Sequence, residues 1–338
     1  MEQIDSGRGE LALLSEIRRR TSHKGPFAGL RLGIGDDCAL LAPRPSEELA
    51  VTTDLSIAGR HFRLDWHPPE AVGHRALARG LSDLAAMGAR PIAAFLSLGL
   101  PHSLTATDGW RRDWFQRFLD GFLALAEAHK TPLAGGDLAE SPVAVADIVL
   151  VGAVPRGRAL LRSGARPDDQ LYVTGALGGA AAGLACLAET ASTVRGNPQR
   201  IPKKLAARLA PHFYPQPRIA QGLRLQRRGL ASAALDVSDG LSSDLAHLCA
   251  ESGVAAEVDA SLVPIASGAT LDQALHGGED YELLFTAPVA ARLPRSIAGV
   301  PVTRIGRIVK ARKSHPTITL LTRHGAQALE ARGWEHFS

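Results

Sequence analysis

AALDVSDGLSSDL, residues 233–245, combines a strand, a turn and the start of a helix. Residues 233–237 are apolar except for Asp236 and have the length of a buried strand, and apolar residues continue at helical spacing over 241–251. Asp239 and Gly240 between these runs are a common turn pair. A strand that passes directly into a helix is typical of mixed folds, so this stretch predicts an α/β (α+β) fold.

The same alternation of strand-length apolar runs and longer helical stretches continues on both sides of this stretch. It predicts further strands at residues 49–53, 92–98, 143–154, 171–174 and 281–286. It predicts further helices at residues 10–20, 69–87, 108–129 and 179–189. With 338 residues, 45% of them hydrophobic, the chain has apolar material for two cores.

Two segments without periodicity interrupt the pattern. VPRGRALLRSGARPDDQ, residues 154–170, is rich in Pro, Gly and Arg and separates two strong strand signals. It predicts a boundary between a domain at 1–155 and a domain at 156–338. TASTVRGNPQRIP, residues 190–202, is expected to be an excursion or a flexible loop.

Composition excludes several kinds of partner. A net charge of +4 is small for this length, and 38 basic residues are spread among 34 acidic ones, so nucleic acid is not expected as a partner. No apolar run approaches the ~20 residues that span a bilayer, so no membrane is expected either. The three cysteines, Cys38, Cys186 and Cys249, are isolated in sequence, which favours a reducing compartment and a cytoplasmic location.

Carboxylates repeatedly adjoin glycines or apolar runs, where a charged group is costly to bury. They are Asp36, Asp37, Asp54, Asp83, Asp137, Asp236, Asp239, Asp244, Glu279 and Asp280. Each alone has a structural interpretation, such as an Asx-turn or a helix cap. Together they favour a site for Mg²⁺, which prefers oxygen ligands. The phosphate loop GxxxxGK[ST], the HRD and DFG pair and GxGxxG after a strand are absent, so a nucleotide would be held through carboxylates and metal.

Six motifs in order resemble the thiamine-monophosphate kinase family, within the aminoimidazole ribonucleotide synthetase superfamily. They are GIGDDCALL, TTDLSIAGRHF, LSDLAAMGARP, RALLRSGARPDD, LDVSDGLSSDL and GGEDYELLF. The resemblance implies the two-domain architecture of that superfamily. In it an N-terminal ATP- and metal-binding domain pairs with its copy in a homodimer, and a C-terminal α/β domain completes the cleft for substrate and nucleotide.

The resemblance also implies roles for individual residues. The implied metal ligands are Asp37, Thr53, Asp54, Asp83, Asp137, Asp236 and Asp239. The implied ATP contacts are Thr52, Gly136, Arg162 and Ser238, and the implied contacts to the thiamine substrate are His61, Glu279 and Trp334.

The implied reaction is transfer of the γ-phosphoryl group of ATP to thiamine monophosphate, giving thiamine diphosphate, with several Mg²⁺ ions. A phosphate acceptor is already anionic near neutral pH, so no general base is expected, and we expect direct in-line transfer. Two alternatives stay open. One is another ATP-using enzyme of the superfamily with a different acceptor, and the other is a non-catalytic scaffold that binds nucleotide and Mg²⁺.

Overall fold

The computed structural model describes residues 9–21, 27–105, 114–191, 203–312 and 315–334. Its helices in these ranges are α1 (Glu10–Thr21), α2 (Pro69–Ala86), α3 (Trp114–Ala128), α4 (Gly179–Ala191), α5 (Lys203–Phe213), α6 (Ile219–Arg228), α7 (Leu241–Ser252) and α8 (Leu271–His276). Across the described part of the chain, no helix has both the length and the apolar content needed to cross a bilayer.

Within the described ranges, seven strands precede α4 and seven follow α6. The first seven are β1 (Leu30–Leu32), β2 (Leu40–Leu41), β3 (Glu47–Ile57), β4 (Arg90–Leu100), β5 (Leu133–Glu140), β6 (Val145–Pro155) and β7 (Gln170–Thr174). The others are β8 (Ala233–Val237), β9 (Val254–Asp259), β10 (Glu282–Ala287), β11 (Ser296–Ile297), β12 (Val300–Lys310), β13 (Ile318–Thr322) and β14 (Gly325–Ala328).

The described residues separate into two compact units. Unit 1 contains the described residues up to Gly80 together with those from Pro91 to Pro155. Unit 2 contains the segment from Leu81 to Arg90 and the described residues from Arg156 onward. The chain therefore changes unit near residue 155, and the last turn of α2 belongs with the second unit.

Unit 1 is built on a four-stranded sheet with the order β3-β6-β4-β5. β3 and β6 pair antiparallel over eleven residues each, and β4 and β5 pair in parallel. Alternate residues of β6, among them Ile148 and Leu150, are buried. A Cβ at Gly80 of α2 would lie against the side chains of these two residues, so α2 covers this face of the sheet.

Close packing of α2 and α3 depends on two glycines. A Cβ at Gly121 would meet the carbonyl of Glu70, and a Cβ at Gly73 would meet the carbonyl of Phe118. Phe118 also stacks on Trp114, which is 1% exposed, with 5.3 Å between ring centroids. The apolar face of α3 and the two glycines together bring the helix backbones into contact.

Unit 2 is built on a larger sheet with the order β14-β13-β9-β12-β7-β10-β8, with β11 paired to β12. The pairs are antiparallel except β9 with β13. Leu235 and Val237 of β8 belong to the same buried apolar cluster as Leu241 and Leu245 of α7. The strand and helix predicted from residues 233–251 are therefore both anchored in one core.

The mixed α/β character and every predicted element are confirmed where the chain is described, with end points within a few residues. The helix predicted at 108–129 is observed as α3, and residues 108–113 lie outside the described residues. Of the predicted excursion at 190–202, residues 190 and 191 end α4, and 192–202 lie outside the described residues.

Candidate active site

The turn between β8 and α7 holds most of the predicted site residues of unit 2. Asp236, near the end of β8, is 3% exposed. The fully buried Ser82 of α2 donates a hydrogen bond from its Oγ to Asp236 Oδ2 at 2.6 Å. Because Asp83 follows Ser82 directly, this bond joins the helix end that carries Asp83 to the strand that carries Asp236.

Asp244, in the first turns of α7, organises the turn from inside. Its Oδ2 accepts hydrogen bonds from the backbone N–H groups of Ser238, Asp239 and Gly240, at 3.1, 3.1 and 3.0 Å. Burial raises the pKa of Asp244 to about 8, and the nearby carboxylates of Asp236 and Asp239 add to the rise. A divalent cation held by those two carboxylates would oppose this rise, because it would neutralise their charge.

The carbonyl groups of the same turn accept hydrogen bonds from two predicted substrate residues. The backbone N–H of Glu279 donates to the carbonyl of Ser238 at 2.7 Å, and that of Trp334 donates to the carbonyl of Asp239 at 3.1 Å. The carboxylate of Glu279 lies 3.5 Å from Nδ1 of the buried His212. The structure therefore brings Asp236, Ser238, Asp239, Glu279 and Trp334 into one hydrogen-bonded region.

Arg162 lies in the same unit, on its surface. The carbonyl of the preceding Leu161 accepts the N–H of Ala234 at 2.9 Å, which places this segment beside the start of β8. The Arg162 carbonyl accepts a hydrogen bond from Ser252 Oγ at 2.9 Å, while the residue itself is exposed. Its backbone is therefore fixed, and its guanidinium is accessible to an anionic ligand.

In unit 1, Asp37, Gly136 and Asp137 line one cavity of about 420 Å³, next to the exposed Cys38. Gly136 has φ +148°, and a Cβ there would meet the carbonyl of Leu96 on β4. A side chain at position 136 would therefore clash with the backbone of Leu96, so this position of the cavity wall requires glycine. The carboxylate residues Asp37 and Asp137 line the same cavity.

The remaining predicted residues of unit 1 lie on or just after β3. Successive strand residues point to opposite faces, so Thr52 and Asp54 share the face covered by α2, and Thr53 lies on the other face. Asp54 forms an ion pair with Arg79 of α2 at 2.8 Å. His61 accepts the N–H of Ile57 through Nδ1 at 3.1 Å, so in the neutral ring the hydrogen is on Nε2.

The chemistry of the predicted metal ligands fits Mg²⁺, because all of them offer oxygen atoms. Those of unit 1 are Asp37, Thr53, Asp54 and Asp137. Those of unit 2 are Asp83, Asp236 and Asp239. Within the described ranges, no cluster of three or more His, Cys, Asp or Glu side chains is arranged to hold a metal ion. The roles of these residues as metal ligands therefore stay predictions.

Sequence reasoning did not assign roles to Ser82, Asp244 and Asp280 at this site. Ser82 is an unremarkable helix residue until its contact with Asp236 is known. The signal for Asp244 is its spacing, because a carboxylate in the first turns of a helix can reach back to the N–H groups that precede the helix. Asp280 likewise accepts the N–H groups of Gly178 and Ala180, at 2.5 and 3.1 Å, at the start of α4.

Two family models match the chain and define its class. The model of the AIR synthase related protein N-terminal domain matches residues 35–154, and that of the C-terminal domain matches residues 166–318. The chain thus has the two domains of an AIR synthase-related protein, and the predicted two-domain architecture is confirmed.

Individual relatives narrow the class. The thiamine-monophosphate kinase of Salmonella typhimurium is 40% identical over 89% of this chain and 90% of its own length. The crystal structure of the thiamine-monophosphate kinase from Stenotrophomonas maltophilia has a TM-score of 0.77 and 39% identity, covering 93% of this chain and 97% of that one. The structure of AaThiL complexed with AMPPCP and TMP has a TM-score of 0.73 and 29% identity, covering 100% of this chain and 99% of that one. This chain belongs to the thiamine-monophosphate kinase family.

Proposed function

We propose that the chain is a thiamine-phosphate kinase, which transfers the γ-phosphoryl group of ATP to thiamine monophosphate and forms thiamine diphosphate and ADP. The observation that carries the proposal is the family relationship over nearly the whole chain. AMPPCP is an analogue of ATP, so the complex of the relative with AMPPCP and TMP supports both substrates.

The chemistry of the reaction explains the types of residue in the predicted site. Donor and acceptor are both polyanions, and two unit charges about 4 Å apart repel by roughly 4 kcal/mol at an effective dielectric near 20. Arg162 is suited to bind phosphate oxygens through its planar guanidinium. The acceptor oxygen is already anionic, so His61, Glu279 and Trp334 are proposed to orient the substrate and not to remove a proton from it.

We include Mg²⁺ in the proposal because all of the predicted ligands are oxygen donors. The proposed ligands are Asp37, Thr53, Asp54, Asp83, Asp137, Asp236 and Asp239. Bound Mg²⁺ would neutralise phosphate charge during in-line transfer. The side chains of the protein then have to hold the two substrates in line and exclude water from the transferred group.

The first experiment is an assay of the purified protein with thiamine monophosphate, ATP and Mg²⁺, with chromatography of the products. We expect thiamine diphosphate and ADP in equal amounts, and no product in EDTA. Asp83→Asn should reduce kcat by about a hundredfold or more, the order of effect when a charge-stabilising group is removed. Asp169→Asn, at a 5% exposed carboxylate that binds Ser232 and the Arg166 N–H, is the matched control and should retain activity.

Binding of ATP analogue without formation of thiamine diphosphate would overturn the proposed activity. It would direct the assay to other acceptors of the superfamily, or to a non-catalytic scaffold if no acceptor is converted. Inactivity of Asp169→Asn together with Asp83→Asn would show that the assay reports loss of folding and not loss of a site residue.

Cys38 offers an independent test of the cavity in unit 1. It is exposed on the wall that carries Asp37 and Asp137, whereas Cys186 and Cys249 are buried, and burial raises the pKa of Cys249 to about 12. A thiol reagent should therefore modify Cys38 first in the native protein. We expect AMPPCP with Mg²⁺ to slow this reaction at least about fivefold, and Cys38→Ser to remove the fast phase. An unchanged rate with saturating nucleotide would place the nucleotide elsewhere.

We also propose that the protein works as a homodimer formed through unit 1. Among the described residues, β3 is one of the two edge strands of its sheet, and Leu49, Val51 and Leu55 on one face of it are 45%, 61% and 45% exposed. An edge strand of eleven residues with an apolar face is normally covered in solution. A second copy of the chain is the partner proposed for this face.

The cellular location proposed for the protein is the cytoplasm, and the free cysteines agree with it.

A further inference from the structure

The backbone of the turn Ser238–Asp239–Gly240 is fixed by hydrogen bonds on both its N–H and its carbonyl side. All three N–H groups donate to one oxygen of Asp244, at 3.0 to 3.1 Å. The Asp244 side chain is 3% exposed, so water does not compete for these bonds. Three successive N–H groups that converge on one oxygen form the kind of concavity that otherwise binds an external anion.

The chain's own carboxyl group fills this concavity. The N–H groups of the turn are therefore not available to cradle a phosphate of a nucleotide, in contrast to a phosphate-binding loop. Gly240 makes this arrangement possible, because it has φ +118° and a Cβ there would meet the backbone of His276. The residues Ser238 and Asp239 are partly exposed, while the N–H groups of the turn donate to Asp244.

The carbonyl side of the turn is bound by the predicted substrate residues. The backbone N–H of Glu279 donates to the carbonyl of Ser238, and the backbone N–H of Trp334 donates to the carbonyl of Asp239. The N–H of Gly333 donates to Ser243 Oγ at 2.9 Å, and a Cβ at Gly333 would meet the carbonyl of Asp239. Displacement of the turn would therefore move Asp239 and the backbone of Trp334 together.

We propose that Asp244 is a positioning residue, which holds Ser238 and Asp239 in the conformation that binds the metal-nucleotide and keeps them in register with Glu279 and Trp334. This inference rests on the proposed kinase function. Asp244 touches neither substrate in this proposal, and it acts through the peptide groups that it binds. Loss of the Asp244 carboxyl group should weaken metal binding more than substrate binding. The reason is that Asp244 binds the N–H groups of the turn, whereas Glu279 and Trp334 bind its carbonyl groups.

The test compares Asp244→Ala, Asp244→Asn and the control Asp169→Asn. Asp169 is also a buried carboxylate of unit 2 that accepts a backbone N–H, but it bonds Arg166 and Ser232, away from the turn. Two readouts are measured: binding of Mn²⁺ by electron paramagnetic resonance with AMPPCP present, and the Mg²⁺ concentration for half-maximal kinase activity. Thermal unfolding of each variant is recorded alongside.

For Asp244→Ala we expect Mn²⁺ binding and the Mg²⁺ requirement to weaken by at least about tenfold, the scale of one buried hydrogen bond lost. Asp244→Asn keeps an acceptor oxygen and should recover a large part of this loss. Asp169→Asn should match the parent in both readouts, even if its melting temperature falls.

The proposal is overturned if Asp244→Ala matches Asp169→Asn in Mn²⁺ affinity, or if Asp244→Asn is no better than Asp244→Ala in a folded protein. If Asp244→Ala does not fold, Asp244→Ser takes its place, because its shorter side chain cannot accept all three N–H groups. Mn²⁺ affinity of Asp244→Ser equal to that of Asp169→Asn and of the parent overturns the proposal. A parent protein that binds Mn²⁺ and AMPPCP but forms no thiamine diphosphate would overturn the proposed function, while the Mn²⁺ comparison would still decide the role of Asp244.

Discussion

At the scale of single residues, the turn GGEDYEL contains backbone conformations that side chains rarely adopt. Glu279 has φ +68° and Tyr281 has φ +51°, and neither is glycine. Each such conformation costs on the order of 1 kcal/mol or more and persists only where surrounding contacts impose it. Asp280, between the two, supplies such contacts through the N–H groups of Gly178 and Ala180 at the start of α4. Strain at this position is consistent with a binding role for Glu279.

Asp280 should make stability depend on pH. Loss of hydration raises the pKa of Asp280 to about 7, well above its value of about 3.9 in the unfolded chain. Because the pKa is higher in the folded state, the unfolded chain releases this proton at a lower pH than the folded protein does. The contribution of Asp280 to the free energy of unfolding is therefore full below pH ~4 and is lost as pH rises through ~7. Asp280→Asn does not titrate and can still cap α4.

We therefore expect the melting temperature of the parent, relative to Asp280→Asn, to fall between pH 5 and pH 8. Thermal unfolding at four pH values in this range measures the difference. The control is Thr270→Ala, which removes an exposed cap of α8 and no titrating group, so its effect should be constant with pH. A constant difference for Asp280→Asn as well would contradict the assignment.

The sequence identified the carboxylates of the candidate site, but not the groups that hold them. Asp236, Asp239 and Glu279 stood out because they adjoin glycines and apolar strands, and the structure places them in one region. Ser82 could not be found this way, because its bond to Asp236 spans 154 positions in the sequence. The ion pair between Asp54 and Arg79 depends likewise on how α2 lies on the sheet.

At the scale of elements, α2 and α3 show how glycine determines helix packing. Gly121 lies in the interior of α3, where glycine costs about 1 kcal/mol relative to alanine. The structure explains its presence, since a Cβ there would meet the carbonyl of Glu70. Backbone cannot move aside as a flexible side chain can, so the close approach of the helices requires glycine.

Gly121→Ala should therefore destabilise the protein although it improves helix propensity. Overpacking of a close contact typically costs about 1–3 kcal/mol, so we expect a net loss of about 1–2 kcal/mol after the gain in propensity. Urea unfolding of the parent and the variant measures this difference. Gly9→Ala is the control, because a Cβ at Gly9 would have no neighbour within 4 Å. An equal or higher stability of Gly121→Ala would show that the helices can separate at little cost.

Helices and strands with long apolar runs were predictable, and elements held by pairing or by polar faces were not. β5, LAGGDLAE, contains residues that are poor strand formers, and its parallel pairing with β4 overrides that preference. α5 contains Pro211, and β12 alternates apolar residues with arginines in a short, mixed pattern. In these elements long-range contacts decide the conformation, and periodicity alone does not report them.

At the scale of the whole molecule, the domain boundary at residues 155 and 156 stays a prediction from the sequence, and the compact units of the described residues follow a different division of the chain. The sequence did not predict that residues 81–90 would belong with the second unit. It also gave no strand order, because the larger sheet pairs strands far apart in sequence, such as β7 with β12. Pairing partners of this kind depend on which faces are buried together.

The proposed homodimer gives the last prediction. Val51 is 61% exposed on the apolar face of β3, so Val51→Glu should leave unit 1 folded but place a charge in the proposed interface. Sedimentation equilibrium should give twice the chain mass of 35.7 kDa for the parent and a dissociation constant for the variant at least about tenfold higher. Val289→Glu, at a 69% exposed valine of unit 2, is the matched control and should remain dimeric. A buried charge without a partner destabilises an interface, so Val51→Glu must weaken a dimer formed through β3. Equal dissociation constants for the two variants, or a monomeric parent, would therefore show that β3 faces solvent or a different partner.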